Sequence, residues 1–321
     1  MARTVGIIGS GHVGATLANN LLVTGSVDKL VLIDTNELKV NSDATDFEDA
    51  LANLPTHTKV VKNNYRELKH ADVVVIAVGS IGVQNDDAKH DRFVELKVTS
   101  KAAKEVGTKL REVGFDGVLV SISNPCDVVA ALFQHYTGLP KDQVIGTGTL
   151  LDTSRMKKVV GQRFELDPRS VSGYNLGEHG NSQFTAWSQV RVLDQPVTAA
   201  LSEAELDELA EAVRAGGYTV FHGKHYTNFG IAAAALRLVT AIINDARAEL
   251  PVSNFREELG TYVGYPAVVG SGGVVRQPQL TLTSAEKEKL LASANYIQTR
   301  YEAVLTELEK YKRTQGSSER C

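Results

Sequence analysis

The sequence predicts an α/β protein that begins with a doubly wound parallel sheet and continues into a second, α+β domain. A glycine-rich turn stands between a strand-like run and a helix-like run near the N-terminus. Short β-branched runs then alternate with helical patterns up to residue 146, and the pattern changes from residue 148 onward. Such alternation is typical of a parallel sheet covered by helices. At 321 residues the chain is long enough for two domains or one large α/β unit.

The glycine-rich turn follows the apolar run 4–9 and precedes the helical pattern 15–22. It reads Gly9-Ser10-Gly11-His12-Val13-Gly14. Gly9 permits a tight turn, Gly11 has no side chain to block a pyrophosphate, and Gly14 lets the helix pack close to the sheet. The N–H groups at the start of the helix would then face the phosphates. The motif alone leaves a structural turn as an alternative, but its place between strand and helix favours dinucleotide binding.

An acidic residue ends the second predicted strand. The run 29–34 finishes in Asp34, 20 residues beyond Gly14. At this spacing a carboxylate meets the 2′-hydroxyl of the adenosine ribose, and it would repel a 2′-phosphate. The sequence therefore predicts NAD rather than NADP as the cofactor, with a solvated acid at a strand end as the alternative.

The remaining elements follow in alternating order. Further strands are predicted at 58–61, 72–79, 118–122 and 144–146, and helices at 40–54, 92–113, 150–160, 202–215, 229–250 and 284–311. Short strands are expected within 171–192 with Trp187 in the core, and Gly216-Gly217 should break or loosen the preceding helix. These patterns place a cofactor-binding domain at 1–146 with a mobile loop at 80–91, a second domain at 147–312 and a polar tail at 313–321.

Composition excludes several classes of protein. A net charge of −4 gives no reason to expect nucleic acid or an anionic membrane as a partner. No apolar run reaches the roughly 18 residues of a membrane helix, and the N-terminus shows no leader pattern. The two cysteines form neither a disulfide framework nor a metal spacing, so we expect a cytoplasmic protein. His222 and His225 form H-x-x-H without a third clustered ligand, and no metal is expected.

Four residues have side chains suited to acid–base chemistry or anion binding. Asp152 and Arg155 stand at i and i+3 on one helix face, where an intrahelical ion pair is the alternative. His179 lies among small and turn-forming residues at 173–182, where a structural histidine is the alternative. Arg92 marks the point where the polar loop becomes a helix, and a solvated charge is the alternative there. A nicotinamide cofactor needs such an acid–base group beside the hydride acceptor.

Several stretches converge on one family. They are the glycine-rich turn 9–14, Asp91-Arg92-Phe93, Ser123-Asn124-Pro125, 146–155 and 177–182. In their order and spacing the chain resembles the NAD-dependent L-lactate/L-malate dehydrogenases over nearly its whole length. Within them it looks most like the L-2-hydroxyisocaproate dehydrogenases of lactic acid bacteria. The resemblance implies an N-terminal Rossmann domain, a C-terminal α+β substrate domain of the lactate/malate dehydrogenase type, and reduction of 2-oxo acids to L-2-hydroxy acids with NADH.

The resemblance also implies roles for individual residues. Arg155 would hold the substrate carboxylate with a bidentate fork. Arg92, brought in by loop closure, would polarise the carbonyl as charge develops on its oxygen. Asn124 would donate a further hydrogen bond to that oxygen and steer the nicotinamide, and the Asn124–Pro125 bond is expected to be cis.

Proton transfer falls to two further residues in the same resemblance. His179 would exchange its proton with the substrate oxygen, and Asp152 would fix the tautomer of His179 and stabilise its cationic form. Thr227 and Ile231 would lie near the substrate, with a helix-start hydroxyl and an ordinary core residue as the alternatives. Cofactor contacts are expected from Gly9, Gly11, His12, Val13, Gly14, Asp34, Val78, Gly79 and Asn124.

Departures from the family pattern bear on the substrate. Malate dehydrogenases carry an arginine on the mobile loop for a second carboxylate, and the stretch 81–89 has none and contains two acids. Val83 and Gln84 are the candidates for the specificity position. Gly216-Gly217 stands where bulkier residues or alanine flank the substrate, which implies room for a branched aliphatic group such as that of 2-oxoisocaproate, besides pyruvate. A malate dehydrogenase and a non-catalytic NAD-binding protein remain the alternatives.

Other departures bear on regulation and assembly. Lys157 and Ser172 replace the arginine and histidine of the family's fructose 1,6-bisphosphate site, so activation by this ligand is not expected. Asn181 replaces the usual aspartate after His-Gly. The family suggests a homotetramer, with which the apolar faces near 40–54 and 229–250 are compatible.

Overall fold

The structure is a computed structural model that describes residues 2–79 and 92–318, and the side chains of residues 92–93 and 309–318 lie outside that description. Its α-helices are α1 His12–Val23, α2 Glu37–Leu51, α3 Leu96–Val113, α4 Cys126–Thr137, α5 Leu150–Arg163, α6 Glu203–Lys224, α7 Phe229–Ile243 and α8 Ser284–Ser318. The first six strands are β1 Thr4–Ile8, β2 Lys29–Ile33, β3 Lys59–Lys62, β4 Val73–Ile76, β5 Val118–Ser121 and β6 Val144–Gly146. The later strands are β7 Val171–Ser172, β8 Asn175–Leu176, β9 Phe184–Thr185, β10 Arg191–Val192, β11 Gln195–Pro196, β12 Ala248–Arg256, β13 Thr261–Gly270 and β14 Gly273–Arg276.

One nine-stranded sheet contains strands from both halves of the chain, in the order β14-β13-β12-β6-β5-β4-β1-β2-β3. The strands from β1 to β6 pair in parallel, and β1 lies in the middle, with Ile7 beside Leu32 on one side and Val75 on the other. This arrangement confirms the predicted doubly wound sheet. The strand order reverses at β1, where α/β proteins bind ligands beyond the carboxyl ends of the strands.

Alternate residues of the parallel strands pack on opposite faces of the sheet. Val73 and Val75 belong to one buried apolar cluster, whereas Val74 and Ile76 belong to another. The strands are therefore covered on both faces, as their continuous apolar runs require. A third, smaller cluster lies around α5, and Trp187 packs against it while remaining half-buried.

The strands after α7 extend the sheet, which the sequence analysis did not predict. The chain at 248–250 is strand rather than helix, because α7 ends at Ile243. β12 pairs antiparallel with β13 over its whole length and joins β6 antiparallel through Ser253 and Gly146. Pro251 and Pro266 face each other in the β12–β13 pair. Proline normally argues against a central strand because it has no N–H to donate. For this reason neither β12 nor β13 was predicted from the sequence.

Two helices differ from their predicted bounds in the C-terminal half. α6 begins after Ser202, which caps it and forms a capping box with Glu205, and it continues through Gly216-Gly217 to Lys224. The glycines therefore do not break the helix, because α6 packs against α5 and this contact offsets their cost of about 1 kcal/mol each. α8 continues to Ser318, so the predicted tail at 313–321 is helical as far as that residue.

No single helix among the described residues is long and apolar enough to cross a membrane; Glu203–Lys224 and Phe229–Ile243 meet the criterion only together, as a pair bent by 119°.

Candidate active site

A cleft opens at the carboxyl ends of β4 and β5, beside the glycine-rich turn. Of the predicted residues, those lining it are Gly11, His12, Val13, Val78, Gly79, Asn124 and Thr227. Its other lining residues, to which no role was assigned from the sequence, are Ala77, Glu95, Ile122, Ser123 and Tyr226. The fold thus brings cofactor candidates from the N-terminal half and Thr227 from the C-terminal half to one place.

Two glycines of the turn have different surroundings. A Cβ on Gly14 would lie 1.9 Å from the carbonyl oxygen of Gly9, so only glycine fits where α1 approaches the turn. A Cβ on Gly11 would meet nothing within 4 Å, so the main chain there is open toward the cleft. No described side chain caps α1, and its first turn holds no acid. Unoccupied N–H groups at a helix start and an open glycine fit the pyrophosphate of a dinucleotide.

Asp34 is fixed at the carboxyl end of β2. Its Oδ2 accepts the main-chain N–H of Ser10 at 2.7 Å, and its Oδ1 accepts that of Asn36 at 2.8 Å. The hydroxyl of Ser10 donates to Asp43, which also pairs with Lys39 of the same helix. Asp34 therefore stands against the glycine-rich turn, as an adenosine-ribose ligand must, and Asp43 is an acid at this site that the motif did not reveal.

Tyr226 connects the two halves of the cleft. Its ring stacks on the exposed His12 ring, with centroids 3.8 Å apart and an interplanar angle of 4°. Two residues further on, the side-chain amide of Asn228 donates to Thr16 Oγ1 at 3.0 Å. The segment before α7 is thus held against α1, which brings Thr227 to the cleft.

His179 and Asp152 form a buried hydrogen-bonded pair. Nδ1 of His179 lies 2.6 Å from Oδ2 of Asp152, and the residues are 7% and 1% exposed. Asp152 stands in the first turn of α5, and His179 follows Gly177, whose φ of +94° turns the chain after β8. An acid on Nδ1 selects the tautomer and orients the ring, so that Nε2 is the nitrogen for proton exchange.

Arg155 contacts the same carboxylate as His179. Its Nη1 donates to Oδ1 of Asp152 at 2.8 Å, and its side chain is 15% exposed. The predicted ion pair at i and i+3 therefore exists, and it also belongs to the site. A Cβ on Gly217 would lie 3.5–3.6 Å from the guanidinium, and one on Gly216 would lie 3.9 Å from Cδ of Arg155. The two glycines thus lie beside Arg155. The family resemblance predicted that they flank the side chain of the substrate.

Asn124 occupies the predicted position at the end of β5. Its bond to Pro125 is cis, as expected. Its Oδ1 is buried and has no hydrogen-bond partner among the described residues. Ile231 is buried in the apolar cluster around β1, so its side chain fits the core alternative as well.

Asp127 contacts the turn that carries His179 and was not predicted as a site residue. Its Oδ2 accepts the main-chain N–H of His179 at 2.9 Å, and the residue is 1% exposed. Burial is the largest cause that raises the pKa of Asp127 to about 6. One signal was available in the sequence, because Asp127 is the single charge in the first turns of the apolar segment Cys-Asp-Val-Val-Ala-Ala.

Glu178 secures the turn by contacts with a distant helix. Its N–H donates to Ser293 Oγ of α8 at 2.7 Å. Its carboxylate accepts the N–H of Ser182 at 2.9 Å and the Ser182 hydroxyl at 2.6 Å. The side chains of α4, α5 and α8 therefore hold the segment that carries His179.

Several predicted positions lie outside the described residues. These are the loop 80–91 with Val83 and Gln84, and the side chain of Arg92. The main chain of Arg92 begins a short 3₁₀ helix, Arg92–Glu95, that leads into α3. Glu95, the last residue of this 3₁₀ helix, lines the cleft.

The chain matches family models along almost its whole length. Residues 3–146 match the NAD-binding domain of lactate/malate dehydrogenases, and residues 149–308 match their α/β C-terminal domain. It is 38% identical over 310 residues to an L-lactate dehydrogenase 1 of Bifidobacterium longum, covering 93% of this chain and 97% of that one. It is 34% identical over 296 residues to an L-lactate dehydrogenase 2 of Enterococcus faecalis, covering 89% and 92%.

Solved structures of lactate dehydrogenases with ligands bound show the same fold. The minor L-lactate dehydrogenase of Enterococcus mundtii in its ligand-bound form superposes with a TM-score of 0.88 at 33% identity, covering 94% of this chain and 98% of that one. The lactate dehydrogenase of Cryptosporidium parvum, complexed with lactic acid and NAD, superposes with a TM-score of 0.89 at 27% identity, covering 95% and 98%. The chain therefore belongs to the lactate/malate dehydrogenase family, and it is an NAD-dependent 2-hydroxyacid oxidoreductase of the lactate dehydrogenase type.

Proposed function

We propose that this enzyme reduces 2-oxo acids with aliphatic side chains, from pyruvate to 2-oxoisocaproate, to L-2-hydroxy acids. The observation that carries the proposal is the pair of contacts made by Asp152. One of its oxygens contacts His179, the proposed proton donor, and the other accepts from Arg155, the proposed anion-binding residue. An acid–base group and a guanidinium at such close range suit a substrate whose carboxylate adjoins its carbonyl.

The reaction follows from these contacts. Arg155 binds the substrate carboxylate through those guanidinium N–H groups that do not donate to Asp152. His179 donates a proton from Nε2 to the carbonyl oxygen during reduction and takes it back during oxidation. Asp152 stabilises the cationic imidazole and keeps the tautomer fixed. Bound NADH supplies the hydride to the carbonyl carbon.

Asn124, Arg92 and Thr227 complete the proposed substrate site. Asn124 and Thr227 line the cleft beside the cofactor candidates. We assign to Asn124 a hydrogen bond to the substrate oxygen, and to Arg92 the polarisation of the carbonyl, on the strength of the sequence resemblance. Gly9, Gly11, Gly14 and Asp34, with their neighbours His12, Val13, Val78 and Gly79, are the proposed cofactor contacts.

The size of the substrate side chain is proposed from the glycines of α6. Gly216 and Gly217 place no side chain of their own beside Arg155. A branched aliphatic group such as that of 2-oxoisocaproate can then lie along the helix. Because each buried methylene contributes about 1 kcal/mol, preference among 2-oxo acids should be graded rather than absolute.

A panel of 2-oxo acids compared by kcat/KM tests this proposal. Gly217→Ala should lower kcat/KM for 2-oxoisocaproate about tenfold relative to pyruvate, because the added methyl group fills the space beside Arg155. Gly223→Ala is the matched control, since a Cβ there would meet nothing within 4 Å on the same helix. An unchanged ratio in Gly217→Ala would contradict the assignment of the side-chain pocket.

The same panel separates the alternatives. Oxaloacetate should be a poor substrate, because the stretch 81–89 contains two acids and no arginine. A preference for oxaloacetate would favour a malate dehydrogenase. NADH binding without turnover of any 2-oxo acid would favour a non-catalytic NAD-binding protein.

Assembly, regulation and location complete the proposal. A homotetramer is supported by exposed apolar side chains, among them Leu38 at 82% on α2 and Phe229 at 70% on α7.

The family's bisphosphate ligands are replaced here by Lys157, whose pKa is lowered mainly by burial, and by the exposed Ser172. Fructose 1,6-bisphosphate should therefore leave the rate curve unchanged. We also propose domains at 1–146 and 147–312, supported by the two matched segments, and a cytoplasmic location.

A further inference from the structure

A second buried carboxylate touches the turn that carries His179, and the proton transfer described above makes no use of it. Asp127 stands in the first turn of α4, 52 positions before His179 in the chain. Its Oδ2 accepts the His179 N–H at 2.9 Å, and no more than 1% of the residue is exposed. The contact is therefore a specific one between two distant segments.

The surroundings of Asp127 leave its charge poorly compensated. Oδ1 of Asp127 and Oγ of Ser253 are both buried, and neither has a hydrogen bond of normal geometry within the described residues. The hydroxyl of Ser253 on β12 nevertheless faces the carboxyl closely enough to lower its pKa, as the N–H of His179 does, whereas Glu178 raises it. Buried polar atoms without partners are rare in folded proteins and call for an explanation.

We propose that Asp127 is a positioning residue for His179, which holds the main chain of the catalytic turn while Asp152 holds the imidazole. The proposal rests on the proposed role of His179 as the proton donor. Asp152 fixes which ring nitrogen faces the substrate, but it cannot fix the depth and direction of the turn that carries the ring. The carboxylate of Asp127 supplies that restraint from α4, whose N-terminus favours a negative charge.

The carboxylate also adds negative charge beside the proton donor. The charged groups that act on it are Glu178 and His179 of the turn. The thiol of Cys126, on the same helix, lies near the carboxylates of both Asp127 and Asp152. Burial raises the pKa of Cys126 to about 12, so the thiol stays neutral in the working range. Asp127 therefore belongs to the acids that stabilise the cationic form of His179, which is the form that donates the proton.

Two variants of Asp127 test this inference. Asp127→Asn keeps an acceptor for the His179 N–H but removes the charge, so the pH at which reduction is half lost should fall by about half a unit or more. Asp127→Ala also removes the acceptor, and kcat should fall about tenfold or more while the Kd for NADH changes less than about twofold. Ser182→Ala is the control, because it loosens the same turn without touching Asp127.

A purely structural role predicts another result. Asp127→Asn would then keep the pH profile of the native enzyme, and Asp127→Ala would lose activity only in proportion to its folded fraction. Either observation overturns the inference. A shift of the pH profile in Ser182→Ala as large as that in Asp127→Asn would overturn it as well, because loosening alone would then explain the shift.

A measurement on the native chain covers the case in which neither variant folds. In enzyme labelled with ¹⁵N-histidine, the amide of His179 should exchange with solvent as slowly as amides within the central strands. Rapid exchange of this amide overturns the inference. His179→Gln distinguishes failure of the proposed function from failure of the positioning role. Native turnover by this variant would refute the proposed function. Loss of turnover in His179→Gln, together with native behaviour of the Asp127 variants, would refute only the positioning role.

Discussion

The cofactor cleft and the turn that carries His179 are built from different kinds of groups. The cleft is made of glycines and main-chain groups from one short motif, and Gly11 leaves it open. The turn is held by buried carboxylates from separate helices, Asp152 and Asp127, of which each is only 1% exposed. A dinucleotide needs space and N–H donors, whereas proton transfer needs charges placed where water cannot screen them. Changes in one region should therefore affect cofactor binding, and changes in the other should affect turnover.

The largest effect is expected from Asp152→Asn. The two oxygens of Asp152 contact different side chains, the imidazole of His179 and the guanidinium of Arg155, and an asparagine offers one acceptor and one donor in their place. We expect kcat for 2-oxo acid reduction to fall about 10²–10⁴-fold, the usual contribution of general acid–base catalysis. The Kd for NADH, measured by fluorescence titration, should stay nearly unchanged.

A matched pair exists on the surface for comparison. His70 Nδ1 lies 2.9 Å from Asp116 Oδ2, but the two side chains are 70% and 63% exposed. Asp116→Asn should leave turnover and NADH binding as they are, because solvent screens this pair. If Asp152→Asn behaved like Asp116→Asn, the distinction between the turn and the rest of the protein would not hold.

The reverse pattern is expected in the cleft. Gly11→Ala should weaken NADH binding about tenfold with an unchanged Tm in the absence of ligand, because its Cβ would meet only open space. Gly14→Ala should lower Tm by several degrees, since a Cβ 1.9 Å from the Gly9 carbonyl forces the helix from the strand at a cost of about 1–3 kcal/mol. Thermal unfolding with and without NADH distinguishes the two. Equal losses of Tm would show that both glycines are only structural.

The smallest effect concerns the stability cost of the buried acid. The pKa of Asp127 is about 6 in the folded chain, against 3.8 for an ordinary aspartate. Between these values the folded state retains a proton that the unfolded state has released, so this carboxyl stabilises the fold at low pH and loses that contribution as the pH rises toward 6. Asp127→Asn should therefore gain stability relative to the native chain between pH 4 and pH 7, by at most about 3 kcal/mol. Denaturant unfolding curves that stay parallel across this range would contradict the expectation.

The parts that were predictable from the sequence are those encoded locally. The glycine-rich turn, Asp34 and the parallel strands can each be recognised from a few consecutive residues. Asp152 and Arg155 share one helical turn. The parts that were missed depend on contacts between distant segments. β12 and β13 lie inside the sheet although each contains a proline; Pro251 and Pro266 face each other, and no local pattern reports such a pairing.

The same reason explains the two acids that were overlooked at the site. Asp127 looks like an ordinary first-turn acid until the fold places His179 against it. Asp43 looks like half of an exposed i, i+4 pair with Lys39 until Ser10 is seen to donate to it. The identity of a residue and its helix could be read from the chain, but its partner could not.

The junction of β6 with β12 has a consequence for any attempt to divide this enzyme. The cofactor half contributes β6, and the described strand that covers its outer edge, β12, comes from the other half of the chain. A fragment ending near residue 146 would expose β6 as an unpaired edge with its buried residues facing water. Such edges recruit other strands, so the isolated nucleotide-binding half should aggregate or recapture β12 from a complementary fragment supplied in trans.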